Sequence, residues 1–334
     1  MKTTDDTVAS GGGVSRRQAL LKLLRLGAIA GGVATFGAWL SGRSQHPADA
    51  LITNAKRSHT VPADANFPDV VIAEGGEPAQ LVQAVMRELG GMGRFVARND
   101  VVLVKPNIGW DRTPEQAANT NPEVVAEVVR QCLAAGAKKV IVTDVSCNEA
   151  HRCFQRSGIA EAARNAGAEI LLPDPSQFKD VDLEGEVLRS WPIFEPFLHA
   201  DKIINIPVAK HHSLSGATLG MKNWFGMLGG TRNQLHQRIH ESLVDLADFV
   251  RPTLTMVDCY RVLMRNGPTG GSLEDVALHR TMVAGTDPVA IDAYVAQRFW
   301  NLGLDKMPYL LLASQRGLGS HDFAQVKSKV VKLG

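Results

Sequence analysis

The chain has 334 residues, a formal net charge of +2 and 21% charged residues. The positive balance comes from the first fifty residues, which hold six Lys or Arg against three Asp, whereas residues 51–334 hold 30 against 31. A nearly neutral stretch of that length can bury a large core, and it gives no support to a nucleic-acid partner, which needs a basic face. Four cysteines are too few for a disulfide scaffold.

The first fifty residues have the pattern of a twin-arginine signal peptide. Arg16 and Arg17 precede an uncharged apolar run at 26–40, and Ala48-Asp49-Ala50 resembles a small-residue cleavage site. We therefore predict recognition by the twin-arginine export machinery, export of the folded chain and a periplasmic or other extracytoplasmic location. The apolar run is shorter than the roughly 20 residues that span a bilayer, so we favour cleavage near residue 51. An uncleaved signal would anchor the protein in the membrane.

Residues 51–67 are polar and aperiodic, which indicates an extension or tether. From 68 to 334, short β-branched runs alternate with longer amphipathic stretches. This alternation is typical of an α/β domain with a mainly parallel sheet flanked by helices, in one body or in two closely packed lobes. The strands are predicted at 70–73, 101–105, 139–143, 169–172, 202–206, 253–258 and 277–284.

Helices are predicted between most of these strands, at 77–89, at 122–135, and at 151–166, 241–250, 288–300 and 307–316. Thr120 or Asn121 suits the N-cap of the second helix and Gly136 its end, while Asp287 suits the N-cap of the fifth. Between 174 and 200 the alternation breaks into Pro-rich, aromatic sequence. That break indicates a hairpin or the edge of a second lobe.

Candidate site residues follow the predicted strands, where open α/β sheets bind their ligands. Lys105 and Asn107 follow the second strand, and Thr120 lies near a helix N-terminus whose free N–H groups suit a carboxylate or phosphate. The alternative is a solvated lysine and an ordinary turn.

The segment 205–226 again follows a strand and combines small residues with a set of polar groups: Lys210, His211, His212, Thr218, Lys222 and Asn223. Histidine exchanges protons near neutral pH or binds a metal when neutral, so this set favours a functional site. In the alternative, the histidines lie at the surface while Trp224 and Phe225 fill the core.

The third predicted strand is followed by Cys147, His151 and Cys153. This set could hold zinc or part of an iron–sulfur cluster. In an oxidising compartment Cys147 and Cys153 could equally form a disulfide. Cys132 lies on an apolar helix face and suits the core, whereas Cys259 at a strand end fits either role.

Two further pairs complete the candidates. His236 and His240 are four residues apart, as metal ligands on one helical face are, although the neighbouring leucines also fit simple packing. Asp258 and Asp292 are the carboxylates best placed to orient a histidine or to bind a cation. The sequence has no G-x-G-x-x-G, G-x-S-x-G, Walker, H-E-x-x-H or ferredoxin cysteine motif.

Five motifs, in this order over residues 69–320, resemble the family catalogued as domain of unknown function 362. They are Lys105-Pro106-Asn107, Asn119-Thr120-Asn121-Pro122, Asn205-Ile206-Pro207 with Lys210 and His212, Lys222-Asn223-Trp224-Phe225-Gly226, and Asp287-Pro288-Val289-Ala290-Ile291-Asp292-Ala293. The resemblance implies an α/β fold, frequent association with redox and iron–sulfur proteins, and no settled reaction. Many members carry an added ferredoxin-type cysteine domain. This sequence has no such cysteine run, which argues against intrinsic electron transfer, and its Cys147–Cys153 element resembles an exported branch of the family.

These observations predict an exported protein that binds a small anionic ligand, with or without a divalent metal, in a Lys/Asn/His pocket. The sequence does not decide whether it is an enzyme. The expected roles are charge neutralisation by Lys105, Lys210 and Lys222, orientation by Asn107, Thr120, Thr218, Asn223 and Asp258, and proton transfer or metal binding by His212. The alternative is a carrier or assembly factor for a metal or iron–sulfur centre that uses Cys147, His151 and Cys153 and serves a redox protein partner.

Overall fold

The computed structural model describes residues 51–53 and 55–334, so the predicted signal peptide lies outside the described residues. The strands in chain order are β1 (Val70–Glu74), β2 (Val101–Pro106), β3 (Lys139–Val142), β4 (Glu169–Ile170), β5 (Phe178–Asp182), β6 (Ser190–Phe194), β7 (Lys202–Ile206), β8 (Val208–His212), β9 (Gly216–Thr218), β10 (Leu254–Leu263), β11 (Val276–Gly285) and β12 (Ser328–Lys332). The α-helices are α1 (Pro78–Glu88), α2 (Pro122–Ala134), α3 (Ala150–Arg156), α4 (Ile159–Asn165), α5 (Pro196–His199), α6 (Ile239–Val250), α7 (Pro288–Trp300) and α8 (Tyr309–Gln315).

In the described part of the chain, ten of the strands form one mixed sheet. Its main path has the order β12-β1-β11-β10-β7-β2-β3-β4, and β8 pairs with β10 and with β9. Most pairs are parallel, while β1–β11, β10–β11 and β8–β9 are antiparallel. The predicted α/β fold with a mainly parallel sheet flanked by helices is confirmed.

The two faces of the sheet bury separate apolar cores, because successive strand side chains point to opposite faces. In β1, for example, Val70 and Ile72 belong to one core while Val71 and Ala73 belong to the other. One core packs under α6, α7 and α8, and the second under α1 to α4.

Local sequence explains the helix that begins beside the site. The Asn121 side chain accepts a hydrogen bond from the Glu123 N–H, and Pro122 occupies the first helical position of α2, where a missing N–H costs nothing. At α7, the Asp287 carboxylate accepts from the Ala290 N–H. Both predicted caps are confirmed.

Several predicted elements need correction. The single helix expected at 151–166 is two helices, α3 and α4, because Gly158 between them has a φ of 72°. The strand expected at 169–172 is only the two-residue β4. The break at 174–200 contains the antiparallel hairpin β5–β6, which forms its own small sheet.

The connection from β7 to β8 places the site. Pro207 separates the two strands, and its carbonyl accepts a hydrogen bond from the Asp258 N–H. Strand β10 pairs first with β7 and then with β8, so the chain continues past the carboxyl ends of β2 and β7 instead of leaving the sheet. The β8–β9 hairpin therefore lies beside the carboxyl ends of the parallel strands, where the ligand site is predicted.

The described residues of the range 51–67 contact the rest of the domain. Ile52 forms a β-bridge with Val181, and the Lys56 ammonium lies 2.7 Å from the Asp248 carboxylate. Within residues 51–53 and 55–334, no helix combines the length and apolar character needed to cross a membrane.

Candidate functional site

A cavity of about 630 Å³ lies at the carboxyl ends of the parallel strands. Its walls come from the loops after β2 and β3, from the hairpin β8–β9, and from the two 3₁₀ segments Lys222–Met227 and Arg232–Arg238. Six of the residues predicted for catalysis or ligand binding line this cavity: Asn107, Lys210, His212, Thr218, Lys222 and Asn223. Residues separated by more than a hundred positions thus meet at one site, although their role in binding stays a prediction.

Strand geometry explains why three of these side chains share the cavity. Lys210 and His212 are two positions apart in β8, and Lys210 lies directly opposite Thr218 of β9. Alternate residues of a strand, and directly paired residues of antiparallel strands, lie on one face of the sheet. One face of this hairpin therefore supplies an ammonium group, an imidazole and a hydroxyl.

Lys105 lies beneath the cavity and does not line it. Its ammonium is 2.7 Å from the Asp144 carboxylate, with side chains that are 1% and 3% exposed. The same carboxylate accepts from the Ile108 N–H at 2.6 Å. Burial lowers the pKa of Lys105, while Asp144 opposes that effect. The prediction that Lys105 neutralises a bound anion is therefore corrected, because its charge already has a buried partner.

A chain of two amide side chains joins this ion pair to the cavity. The Asn223 Oδ1 accepts from Lys105 Nζ at 3.0 Å and from Asn107 Nδ2 at 2.9 Å. The Asn107 Oδ1 then accepts from Lys210 Nζ at 2.9 Å. Each amide has its oxygen and nitrogen fixed by these partners, so both asparagines are held in one orientation.

Lys210 and Lys222 are the two buried ammonium groups that face the cavity. Lys210 donates to Asn107 and to the Ala118 carbonyl at 2.6 Å. The Lys222 Nζ lies 3.4 Å from the centroid of the Phe225 ring. Among the described residues, neither ammonium forms an ion pair with a carboxylate. Burial lowers the pKa of Lys210 to about 7, and burial with the charges of neighbouring cations lowers the pKa of Lys222 to about 7.

Arg232 adds a third positive charge at the cavity wall. Its guanidinium donates to the carbonyls of Val145 at 2.7 Å, Phe225 at 3.0 Å and Ser146 at 2.8 Å. These bonds join the loop after β3 to the 3₁₀ segment that carries Lys222. Arg232 therefore shapes the cavity and also leaves its charge uncompensated by any carboxylate among the residues that the structure describes.

His212 is held as a neutral ring. Its Nδ1 accepts from the backbone N–H groups of Leu214 at 3.2 Å and Ser215 at 3.3 Å, which assigns the proton to Nε2. Burial, followed by the charges of Lys222 and Lys210, lowers its pKa to about 3. In this arrangement the Nε2–H is a hydrogen-bond donor, and the role of His212 in proton transfer or metal binding stays a prediction.

The Thr218 hydroxyl is buried, lines the cavity and has no hydrogen-bond partner within the described residues. Burying a hydroxyl without a hydrogen-bond partner costs free energy. The unpaired hydroxyl therefore indicates that a bound group supplies its partner. Thr218 is therefore an available donor or acceptor for a bound molecule.

Two predicted ligand residues are scaffold groups. The Thr120 hydroxyl donates to the Ile206 carbonyl at 2.6 Å and accepts from the Asn107 N–H at 2.8 Å. The Asp258 carboxylate accepts from the Asn121 N–H at 2.7 Å and the Tyr260 N–H at 3.0 Å. Neither lines the cavity. Both are corrected to structural roles, because backbone partners occupy their oxygens.

Asp292 is a second buried carboxylate with a structural role. It accepts from the N–H groups of Gly220 at 2.8 Å and Met221 at 2.9 Å, just before Lys222. Burial raises its pKa to about 7. It fixes the segment that carries the Lys-Asn motif and does not line the cavity.

Residues 102–297 match the family described as a domain of unknown function (DUF362), which is more than half of the chain. The chain belongs to the DUF362 family. Three of the motifs that suggested this family, at 105–107, 205–212 and 222–226, contribute side chains to the cavity lining.

A thylakoid-associated protein of Synechocystis is 28% identical to this DUF362 member over 261 residues, covering 74% of this chain and 76% of that protein. Among solved structures, a Thermotoga maritima protein matches with a TM-score of 0.39 at 12% identity, covering 72% of this chain. The lactate racemase apoprotein of Thermoanaerobacterium thermosaccharolyticum matches with a TM-score of 0.37 at 11% identity, covering 66% of this chain. The matches span 60% and 55% of those two solved chains.

The cysteine element of this DUF362 member does not form one cluster. Cys147 is exposed and lines the large cavity, whereas His151 lines a separate small cavity beside α3 and α4. Cys153 is buried in the core, where burial raises its pKa to about 11. All four cysteines are free thiols, and the described residues contain no group of three or more His, Cys, Asp or Glu arranged to hold a metal. The zinc or iron–sulfur role of this element stays a prediction.

The predicted metal pair His236 and His240 is also separated. His236 lies in a 3₁₀ segment that ends at Arg238, and α6 begins only at Ile239, so the four-residue spacing of an α-helix does not apply. His236 lines the cavity and stacks on His212 with ring centroids 6.2 Å apart. His240 stacks on Tyr309 instead.

Sequence reasoning missed Asp144 and Arg232. Asp144 comes immediately after the predicted third strand, so the strand-end rule could have identified it. Arg232 follows Gly229 and Gly230 in irregular sequence, and no strand end or helix cap marks it.

Proposed function

We propose that this DUF362 member binds a small anion, a carboxylate or a phosphate, in the cavity beneath the β8–β9 hairpin. The observation that carries the proposal is the pair of buried ammonium groups of Lys210 and Lys222, which have no carboxylate partner among the described residues. Buried charges in proteins are normally paired, because desolvation without a partner costs several kcal/mol. A bound anion would supply that partner.

The surrounding groups give the anion a defined orientation. The Lys222 ammonium contacts the anion, and the Lys210 ammonium is held by its hydrogen bond to the Asn107 amide oxygen. The Thr218 hydroxyl and the Nε2–H of His212 donate hydrogen bonds to the anion. Donors already fixed before binding lose little entropy when the ligand arrives. The cavity volume of about 630 Å³ is in the range of small-molecule sites.

Coulomb energies indicate the scale of the effect. A unit anion about 4 Å from an ammonium gains roughly 4 kcal/mol at an effective dielectric constant near 20. Desolvation of the ligand offsets part of this Coulomb energy. We therefore expect a net contribution of about 1.5–3 kcal/mol for each charged hydrogen bond.

The proposal is tested by titrating the purified protein with inorganic phosphate and with oxalate in a calorimeter. We expect Lys222→Met to weaken binding by about 10- to 100-fold, the equivalent of one charged hydrogen bond. Lys138→Met is the matched control, because Lys138 is exposed, directly precedes β3 and does not line the cavity. Equal affinities for Lys222→Met and wild type would contradict the proposed site.

We also propose that the protein works outside the cytoplasm. The twin-arginine pattern before residue 51 supports this location, and the thylakoid association of the Synechocystis relative is compatible with it. A metal or iron–sulfur carrier role and a redox partner stay predictions from the sequence, because no observation in the described residues favours them.

A further inference from the structure

The two cavity lysines differ in what surrounds their Nζ atoms. Lys210 donates to an amide oxygen and to a backbone carbonyl, and both acceptors favour its charged form. Lys222 is 7% exposed and makes no hydrogen bond or ion pair within the described residues; its Nζ faces the Phe225 ring. Two neighbouring ammonium groups repel each other, so the proton that is lost first comes from the lysine with fewer acceptors. That lysine is Lys222.

We propose that Lys222 is a nucleophilic amine that forms an imine with the carbonyl group of a small anionic oxo acid. The inference deepens the anion site proposed above and depends on it. It names the substrate class as a carboxylate that also carries an aldehyde or ketone, and it assigns the carboxylate to the donors around Lys210.

The chemistry balances without an oxidant or a reductant. The Nζ lone pair attacks the carbonyl carbon, a C–N bond forms, and the carbonyl oxygen takes a proton to give a carbinolamine. The C–O bond then breaks, the oxygen leaves as water with a second proton, and a C=N bond remains. Nζ has given up two hydrogens, and both are in the released water. The Lys210 ammonium in the same cavity is the acid that can protonate the departing oxygen and recover its proton from Nζ.

Two independent features point to a bound carbonyl compound at this place. The Thr218 hydroxyl is 4% exposed and lacks a partner among the described residues, so a donor is available for the second functional group of the ligand. The Phe225 ring face covers Lys222 from one side, which limits its hydration and also attracts the ammonium form. A lysine activated by an apolar contact and by nearby cations is the usual arrangement of an imine-forming amine.

The protonation state agrees with this arrangement. Burial, followed by the charges of Lys210 and Arg232, lowers the pKa of Lys222 to about 7. A lysine of ordinary pKa near 10.4 has only a trace of free amine at neutral pH, and the lowered pKa of Lys222 gives it a larger share of free amine.

The experiment treats the full chain with glyoxylate and sodium cyanoborohydride at pH 7, which converts an imine into a stable carboxymethyl-lysine. Peptide mass spectrometry then compares the labelling rates of Lys222 and of exposed Lys138. We expect Lys222 to react about 10- to 100-fold faster, because its lowered pKa leaves more free amine at pH 7. Excess inorganic phosphate should slow the reaction at Lys222 and leave Lys138 unaffected.

The outcomes separate this inference from the proposed function. Labelling of Lys222 at the rate of Lys138, with phosphate binding intact, overturns the imine and keeps the anion site. Fast labelling that phosphate does not slow, in a protein that phosphate does not bind, keeps the reactive amine and overturns the anion site. Slow labelling without phosphate binding overturns both.

Discussion

At the scale of single residues, the site is defined by charges that lack partners. Lys105 could not be told from Lys210 or Lys222 in the sequence, since each is a lysine close to a strand end. The difference lies in Asp144, which lies in the loop after β3, 2.7 Å from Lys105, and leaves the other two ammonium groups without a carboxylate partner. Position after a strand was therefore a good guide to the neighbourhood of the site and a poor guide to which side chain faces it.

The lowered pKa values predict how pH affects both binding and stability. Lys222 and Lys210 have folded-state pKa values of about 7, below the ordinary lysine value, so the folded chain holds fewer protons than the unfolded chain between pH 7 and 10. Their contribution to stability is lowest below pH 7 and rises as the pH increases to about 10. Anion binding has the opposite trend, because it needs the charged forms and weakens as the pH rises above 7.

We expect the free energy of unfolding of Lys222→Met to be about 1–3 kcal/mol higher than that of wild type at pH 6. The variant no longer buries an unpaired charge. At pH 10 the difference should nearly vanish. Denaturant unfolding at the two pH values measures it, and Lys138→Met provides the baseline. A variant less stable than wild type at pH 6 would show that Lys222 has a partner in the folded protein.

At the scale of elements, the prediction of strands and helices was most accurate where the pattern was long and the caps were clear, as in α2 and α7. It failed where a polar or special residue occurs inside a buried strand. The strand predicted to end at Asp258 continues as β10 to Leu263. Strand β8, which begins directly after Pro207, was not predicted. Long-range pairing decides both cases, and local sequence does not contain it.

The 3₁₀ segment Lys222–Met227 depends on a glycine. Gly226 approaches the buried ion pair so closely that an added Cβ would overlap the Asp144 carboxylate and lie 2.6 Å from Lys105 Nζ. We expect Gly226→Ala to separate this pair and to cost about 3–5 kcal/mol of stability, the usual effect of breaking a buried ion pair. Thermal unfolding measures the loss. Gly93→Ala is the control, because an added Cβ there meets no atom within 4 Å, and it should change stability by less than about 0.5 kcal/mol. Equal melting temperatures for the two variants would contradict the close approach.

At the scale of the whole molecule, composition and alternation were sufficient for the fold class, while the predicted export depends on the sequence pattern before residue 51. The signal hypothesis predicts that Arg16→Lys with Arg17→Lys retains the full-length precursor in the cytoplasm, although the net charge is unchanged. Cell fractionation and immunoblotting measure the distribution. Arg25→Lys with Arg43→Lys is the matched control and should be exported normally. Normal export of the first variant would remove the twin-arginine hypothesis and leave the cavity proposals untouched.

The amide chain between Lys105 and Lys210 has a consequence for how a ligand is captured. Because Asn107 and Asn223 are already immobilised by their partners, the receptor has little side-chain freedom left to lose. For the proposed anion, the barrier to binding would then come mainly from removing water from the anion and from Lys222. Discrimination among candidate molecules should accordingly follow their hydration energies, with weakly hydrated monocarboxylates entering faster than strongly hydrated polyanions.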